Sequence, residues 1–327
     1  MSCSNGWNHV IYVTMFAFLF ISGCGRKAVF LQEPIKEYVD AVQYREADEN
    51  QKAIQTLNTA VQKDAEFALG YSLLGDIYQD LQDYPNSSTS YEKATQINPW
   101  SFYDHFNLGK VYYVMEQYPK AADAYIKAVE IKPKHLAANM GAAKSYYKIP
   151  DYNSAWIYGR RAEKIDPNVS EVQKLLGDIY EAQKDYEQAI ASYRRSLEID
   201  SDNPDIIIAL AVAYLKTGEN ANAKELLTTA IEINPESNIA YQHLGYCYLQ
   251  LDDVEKSIES YHRAIEIDDT DWQAYRGLGV AYMLKSLNSR DQQLKNIALE
   301  QWRTSLAINP EQPRGDRLRR LIVKYSK

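Results

Sequence analysis

The most constraining feature of this sequence is a small residue that recurs every thirty-four positions. Only glycine or alanine fills this slot, at Ala41, Gly75, Gly109, Ala143, Gly177, Ala211, Gly245 and Gly279. A tyrosine stands three residues after every slot, from Tyr44 to Tyr282. Self-similarity at a fixed period of this length predicts a repeat architecture, in which one supersecondary unit is copied and stacked.

Two further series of small residues follow the slot within each unit. They are Ala53, Ser87, Ala121, Ala155, Ala189, Ala223 and Ser257, and then Ala60, Ala94, Ala128, Ala162, Ser196, Ala230 and Ala264. Small contact points let two helices approach closely, while tyrosine and leucine fill the gaps around them. Prolines such as Pro99 and Pro133 close many units, because proline cannot continue an α-helix. The pattern predicts two packed helices per unit.

These motifs closely resemble the tetratricopeptide repeat over about residues 34–312. The resemblance implies an all-α fold, a right-handed superhelical solenoid of eight helix-turn-helix units with a C-terminal capping helix over residues 313–327. The predicted repeats are residues 34–67, 68–101, 102–135, 136–169, 170–203, 204–237, 238–271 and 272–312.

Two repeats depart from the common pattern. In the fourth, Gly159 replaces the aromatic residue found at Tyr125 and Tyr193, so we expect different packing there. In the eighth, the expected alanine arrives seven residues late, at Ala298. We expect the polar insertion around residues 285–295 to lengthen the turn between the two helices of this repeat.

The C-terminal segment is predicted to cap the last repeat. Leu318, Leu321, Ile322 and Tyr325 share one helical face, and basic residues lie mostly opposite. The alternative is a basic segment that contacts anionic lipid or a cell-wall polymer.

The N-terminal segment resembles the leader of a bacterial lipoprotein. Residues 10–21 form an uncharged apolar run, shorter than the roughly 20 residues that a membrane-spanning helix needs. The run ends in Ile21-Ser22-Gly23-Cys24, which is similar to a lipobox. The resemblance implies a signal peptide over residues 1–23, lipidation of Cys24 and a tether over residues 24–33. An uncleaved apolar anchor is the alternative, since residues 1–9 contain no lysine or arginine.

On this resemblance the protein is exported and attached by lipid to a bacterial membrane. Gly25 follows the cysteine, in place of the aspartate that retains many lipoproteins in the inner membrane. This favours the outer membrane, with the protein facing the periplasm.

Charge and motif content argue against several function classes. The formal charge of −8 disfavours a general nucleic-acid binder, which needs a positive field. Among the five histidines, only His243 has a metal-like i, i+4 spacing, to Cys247, and two ligands make a poor zinc site. We predict a non-enzymatic protein without metal or cofactor, in which Cys247 is buried.

Partner binding is predicted on the first helix of each repeat. In the tetratricopeptide family, positions two, five, nine and twelve of each repeat face the groove. The first two repeats then present Tyr38, Arg45, Ser72, Asp76 and Gln79, and the centre presents Tyr103, Phe106, Lys110, Tyr113, Lys144, Tyr147 and Lys174. The apolar end presents Ile208, Val212, Leu215, Tyr246, Leu249, Val280 and Met283. Alternatively, superhelical curvature and the terminal helix bury this apolar end.

The predicted function is a scaffold that binds a protein or peptide partner of the cell envelope in this groove. The resemblance suggests envelope, pilus or secretion assembly. The alternative is an adaptor in polysaccharide export, which binds carbohydrate, peptidoglycan or another anionic polymer through the central tyrosines and lysines.

Overall fold

A computed structural model describes the backbone of residues 27–326 and the side chains of residues 34–326. The predicted signal peptide and Cys24 lie outside these residues. The described backbone forms helices and connecting turns without a strand, so the predicted all-α fold is confirmed. None of these helices is both long and apolar enough to cross a membrane.

Helices occur in pairs that follow the predicted repeats. Their bounds are α1 Lys27–Glu46, α2 Asn50–Lys63, α3 Ala68–Asp80, α4 Tyr84–Ile97, α5 Phe102–Val114, α6 Tyr118–Ile131, α7 Leu136–Lys148, α8 Tyr152–Ile165, α9 Ser170–Ala182, α10 Tyr186–Ile199, α11 Pro204–Thr217, α12 Asn220–Ile233, α13 Asn238–Gln250, α14 Val254–Ile267, α15 Trp272–Ser289, α16 Gln292–Ile308 and α17 Gly315–Tyr325.

The chain divides into two compact units, Met1–Ile149 and Pro150–Lys327. The described part of the first unit contains α1 to α7, and that of the second contains α8 to α17. The boundary therefore falls between the two helices of the predicted fourth repeat. Within each unit, helices pack mainly on their neighbours in sequence, as expected for a stack of short antiparallel pairs.

Aspartate begins the second helix in five of the repeats. Each of these aspartates accepts a hydrogen bond from the backbone N–H three residues later, at 3.1 to 3.3 Å; they are Asp83, Asp151, Asp185, Asp253 and Asp291. A helix leaves its first N–H groups without partners, and an acidic N-cap satisfies one of them while favouring the positive end of the dipole. Each of these caps stabilises the start of the second helix of its repeat.

The slot glycines lie directly against aromatic rings of the second helix. A Cβ atom on Gly75 would lie 2.7 Å from Cε1 of Tyr91, and one on Gly177 would lie 2.4 Å from Cε1 of Tyr193. Gly109, Gly245 and Gly279 meet Tyr125, Tyr261 and Trp302 in the same way. The absence of a side chain at the slot is therefore what admits the ring.

The size of the slot residue varies inversely with the size of the residue that faces it on the second helix. Where the slot is alanine, as at Ala41 and Ala211, the second helix carries Leu57 and Leu227, and each pair shares an apolar cluster. In the fourth repeat the position of the ring is Gly159, whose added Cβ would lie 3.0 Å from a methyl carbon of Leu176 in α9. The expected difference in packing arises because α9 approaches the space that a ring would occupy.

The structure adds to the expectation for the first repeat and overturns the one for the eighth. Helix α1 begins at Lys27, within the predicted tether of residues 24–33, and contains Pro34, because proline removes one backbone hydrogen bond without ending this helix. The insertion in the eighth repeat leaves the turn short. It extends α15 to 18 residues and α16 to 17, and Arg290 ends α15 in the left-handed conformation with φ 57°. Seven residues are close to two helical turns, so both helices can lengthen and keep their facing surfaces.

The C-terminal helix α17 covers the apolar end of the last repeat. Leu318 is buried in a cluster with Met283 and Trp302, and Leu321, Ile322 and Tyr325 pack against the same cluster. The predicted apolar face of the capping helix is confirmed.

Substitutions at Gly177 and Tyr193 should have coupled effects on the free energy of unfolding. We expect Gly177→Ala to lower the free energy of unfolding by about 1–3 kcal/mol, because the ring must shift, against a gain of up to ~1 kcal/mol in helix propensity. Tyr193→Leu alone should also destabilise, by leaving a cavity. The double variant has the same residues as the Ala211 and Leu227 pair. Its loss of unfolding free energy should therefore be smaller than the sum of the two single losses by about 1 kcal/mol or more, measured by urea unfolding.

Gly159→Ala is the matched control, because its Cβ would lie 3.0 Å from the end of the Leu176 side chain and 3.4 Å from Ile179 Cδ1, without meeting an aromatic ring. It should be neutral or stabilising. Strictly additive losses for Gly177→Ala and Tyr193→Leu would refute the proposed steric coupling.

Candidate functional site

The predicted groove positions of the first unit converge in a polar cluster, which we call the Arg45–Asp76–Tyr103 cluster. Arg45 Nη1 lies 3.5 Å from Asp76 Oδ2, and its Nη2 donates to Asp80 Oδ2 at 2.6 Å. The Tyr103 hydroxyl donates to the Asp76 carboxylate, 2.8 and 2.9 Å from its two oxygens. Side chains at positions twelve, nine and two of three successive repeats thus share one face.

Asp76 also accepts a hydrogen bond from the Tyr91 hydroxyl, whose ring packs on Gly75. Burial raises the pKa of Asp76, while hydrogen bonds from Tyr91 and Tyr103 and the charge of Arg45 act in the opposite direction. Only 14% of the Asp76 side chain is exposed, so this carboxylate is held in place by partners on α1, α4 and α5.

A second buried carboxylate lies beside this cluster. Asp104 in α5 is 2% exposed and accepts a hydrogen bond from Ser72 Oγ at 2.6 Å. Burial raises the pKa of Asp104, and hydrogen bonds from the Ser101 and Ser72 side chains oppose that shift. No lysine or arginine of the described chain forms an ion pair with it. Asp104 was not predicted from the sequence, because it is the third residue of its repeat and only positions two, five, nine and twelve were assigned to the groove.

The aromatic and basic centre is only partly exposed. Phe102 and Phe106 stack with centroids 5.6 Å apart, and the His135 ring lies 4.6 and 5.2 Å from them. Lys110 Nζ lies 6.0 Å from the Phe106 ring centroid, within cation–π range. The predicted groove residues Phe106 and Lys110 are therefore in contact with each other.

Other predicted residues of the first unit retain accessible surface. Tyr103 is 44% exposed and Lys144 is exposed, whereas Tyr113 and Tyr147 are half-buried. The Tyr113 ring packs edge-on against Tyr118, with centroids 5.4 Å apart.

The second unit carries a smaller polar group at the corresponding positions. Lys174 Nζ donates to Asp178 at 2.9 Å, and the Tyr193 hydroxyl donates to Asp178 and Glu181 at 2.9 and 3.2 Å. Burial raises the pKa of Glu181. Tyr193 and Asp178 correspond by repeat position to Tyr91 and Asp76 of the first unit.

The apolar end is less open than the sequence predicts. Tyr246 is 44% exposed and Val280 is 38% exposed, while Val212, Leu215 and Leu249 are half-buried. Two predicted groove residues are wrong, because Ile208 belongs to the apolar core of the second unit and Met283 lies under α17 with 5% exposure. The terminal helix therefore buries part of this surface, as the alternative interpretation holds.

A shallow cleft that the sequence did not predict lies between α13 and α14. Its volume is about 280 Å³, and it is lined by Tyr241, Leu244, Tyr248, Lys256, Glu259, Ser260 and Arg263. Its two cations are already in ion pairs, Lys256 with Asp253 at 2.9 Å and Arg263 with Glu236 at 3.1 Å.

Cys247 is buried, as predicted, and its thiol donates to the Asn220 carbonyl at 3.1 Å. Across the described part of the chain, no three histidine, cysteine, aspartate or glutamate side chains lie close enough together to hold a metal ion.

The buried Asp104 carboxylate gives a pH dependence with a defined sign. Since its pKa is raised in the folded state, its contribution to stability falls as pH rises from about 4 through that raised value. We expect Asp104→Asn to remove this term, so the free energy of unfolding of the variant relative to wild type should increase from about pH 4 to about pH 7. Urea unfolding across this range measures it. Exposed Asp123→Asn is the control, and a pH-independent difference for Asp104→Asn would contradict the assignment.

Comparison with known proteins identifies the repeat. Sequence models of the tetratricopeptide repeat match residues 75–116, 103–135, 180–244 and 245–286, which together make up more than half of the chain. No curated protein matches the sequence.

Several solved structures share the fold. The C-terminal part of a repeat protein from Cytophaga hutchinsonii has 20% identity and a TM-score of 0.60, over 74% of this chain and 99% of its own. YrrB, described as having an unusual peptide-binding site, has 21% identity and a TM-score of 0.51, over 56% of this chain and 95% of its own. PilW, described as a type IV pilus biogenesis factor, has 18% identity and a TM-score of 0.52, over 65% of this chain and 99% of its own.

The helix pairs, the slot glycines and the matched segments agree, and the chain therefore belongs to the tetratricopeptide repeat family.

Proposed function

We propose that this protein is a non-enzymatic scaffold of a bacterial cell envelope that binds a protein partner along the first helices of its repeats. The observation that carries this proposal is the row of charged side chains at position nine of the first unit, namely Asp76, Lys110 and Lys144. Members of the family bind protein or peptide partners, and a binding surface needs side chains that the fold itself does not consume.

Electrostatics at this row favour a partner that presents a carboxylate or an aromatic side chain to the two lysines. Asp76 is held by Arg45 and two tyrosines, whereas Lys110 and Lys144 have no carboxylate partner in the described structure. Lys144 is exposed, and Lys110 rests over Phe106. A carboxylate or aromatic side chain of a partner could pair with the two lysines, because these contacts are desolvated on binding and gain strength.

The envelope location rests on the sequence around Cys24. A lipid there would keep the repeats close to the bilayer, and the fold similarity to a pilus biogenesis factor makes the assembly of an envelope structure a suitable role. A polysaccharide adaptor is the alternative function. A test of binding to purified polymer distinguishes it from a protein scaffold.

Charge reversal at the two lysines should weaken partner binding. A photoreactive residue at Tyr147 should yield a discrete protein adduct in intact cells, and Lys110→Glu with Lys144→Glu should reduce that adduct about tenfold, as expected for two desolvated charge pairs. Lys134→Glu with Lys148→Glu carries the same charge change at other exposed positions and should leave the adduct intact.

An adduct that is unaffected by the reversal at Lys110 and Lys144 would show that the partner does not use this surface. Retention of purified capsular or cell-wall polymer by the wild-type protein, with loss in the same variant, would support the polysaccharide adaptor instead.

Cys24→Ser should remove the lipid anchor from the protein. Without a thiol no diacylglycerol can be attached, so a wash with about 0.5 M salt should extract more of the variant than of the wild-type protein from membranes. Mass spectrometry of the wild-type N-terminus should find lipid on Cys24. An intact Met1, or a variant that the salt wash extracts no better than the wild-type protein, would contradict the lipid anchor.

A further inference from the structure

Charge is distributed unevenly along the second unit. Residues 150–313 contain 16 basic and 27 acidic residues, a formal charge of −11. Residues 314–327 contain six basic residues and one acidic residue, a formal charge of +5. Most of the basic residues of this last segment lie on α17, next to a strongly acidic body.

Three of these cations form a line on the outward face of α17, which we call the α17 basic stripe. Arg317, Arg320 and Lys324 are spaced at i, i+3 and i+7, so they share one face of the helix, and all three are exposed. The opposite face carries Leu318, which is buried in the apolar cluster with Met283 and Trp302. The capping contact therefore uses one side of the helix and leaves the stripe outside it.

The stripe is not neutralised within the protein. Arg319, which lies off the stripe, forms an ion pair with Asp316 at 2.8 Å and donates to the Pro310 carbonyl at 2.6 Å. Arg317, Arg320 and Lys324 form no ion pair with any residue that the structure describes. Lys324 Nζ lies over the neighbouring Tyr325 ring, 5.2 Å from its centroid.

Capping and helix electrostatics do not account for this arrangement. Like charges three or four residues apart destabilise a helix, and a positive charge in the first turn, such as that of Arg317, opposes the helix dipole. Only Lys324, in the last turn, is placed favourably. An external anion would relieve this repulsion.

We propose that the α17 basic stripe binds the surface of a bilayer that contains anionic lipid. A line of cations on a single exposed helix face matches a flat array of phosphate groups, and each basic residue near such a surface adds to the binding energy. Val323, 61% exposed on the outward side, can rest on the headgroup region.

The proposal extends the envelope location in the proposed function, but it is independent of the partner and of the lipid on Cys24. The full chain with Cys24→Ser is sedimented with vesicles of phosphatidylcholine alone and with vesicles that also contain phosphatidylglycerol. Because any binding through the apolar leader is the same for every variant, the measured quantity is the excess on anionic vesicles.

At about 0.05 M salt we expect the parent chain to bind anionic vesicles. The triple variant, which carries Arg317→Gln, Arg320→Gln and Lys324→Gln, should bind them at least about tenfold less. Raising the salt to about 0.5 M should abolish the excess, since the Debye length shortens. Arg317→Lys with Arg320→Lys keeps the charge and should bind like the parent. The matched control, Lys164→Gln with Lys184→Gln and Arg290→Gln, makes the same charge change at exposed positions off α17 and should also bind like the parent.

Circular dichroism and urea unfolding establish that the triple variant folds. Equal binding of parent and triple variant to anionic vesicles would overturn the proposal. So would a loss of the same size in the matched control, or stripe-dependent binding to polyglutamate without any to vesicles, which would indicate an acidic protein partner. None of these results would affect crosslinking at Tyr147, so the scaffold function and the membrane contact succeed or fail separately.

Discussion

The contact between a helix glycine and the aromatic ring of the next helix is the constraint on which the remaining structure depends. At Gly75 and Gly177 no side chain can be added without moving Tyr91 or Tyr193, because a Cβ would approach the ring to 2.7 Å or less. Each repeat must therefore either keep glycine and a ring or change both residues together. The alanine and leucine pairs of the first and sixth repeats are the second solution.

The same rings connect the core to the candidate binding surface. Tyr91 and Tyr193 fill the space over glycine with their apolar faces and donate their hydroxyls to Asp76 and Asp178 on the first helices. Tyrosine suits this place because its buried ring and its polar tip face different environments. Burial also raises the pKa of Asp76, because a charged carboxylate loses hydration there. The carboxylate that holds Arg45 and Tyr103 in position therefore carries a desolvation cost.

The two units use their first-helix surfaces differently. In the first unit, charged and aromatic residues such as Arg45, Asp76 and Tyr103 contact one another across repeats. The second unit becomes more apolar toward its end, where α17 covers Met283 and leaves Val280 and Tyr246 exposed. Helix α17 thereby buries part of the predicted groove surface, and its own basic face points to solvent.

The sequence by itself determined the helix pairs, the repeat register, the apolar face of α17 and the burial of Cys247, because each follows from a local period or spacing. Only the tertiary structure decided how contacts between distant repeats use these residues. Asp104 meets Ser72, Met283 lies under Leu318, and the insertion near Arg290 lengthens helices because the facing surfaces stay in register. Whether a predicted groove residue is exposed depends on which neighbouring helix covers it. The repeat period of one sequence does not predict that covering helix.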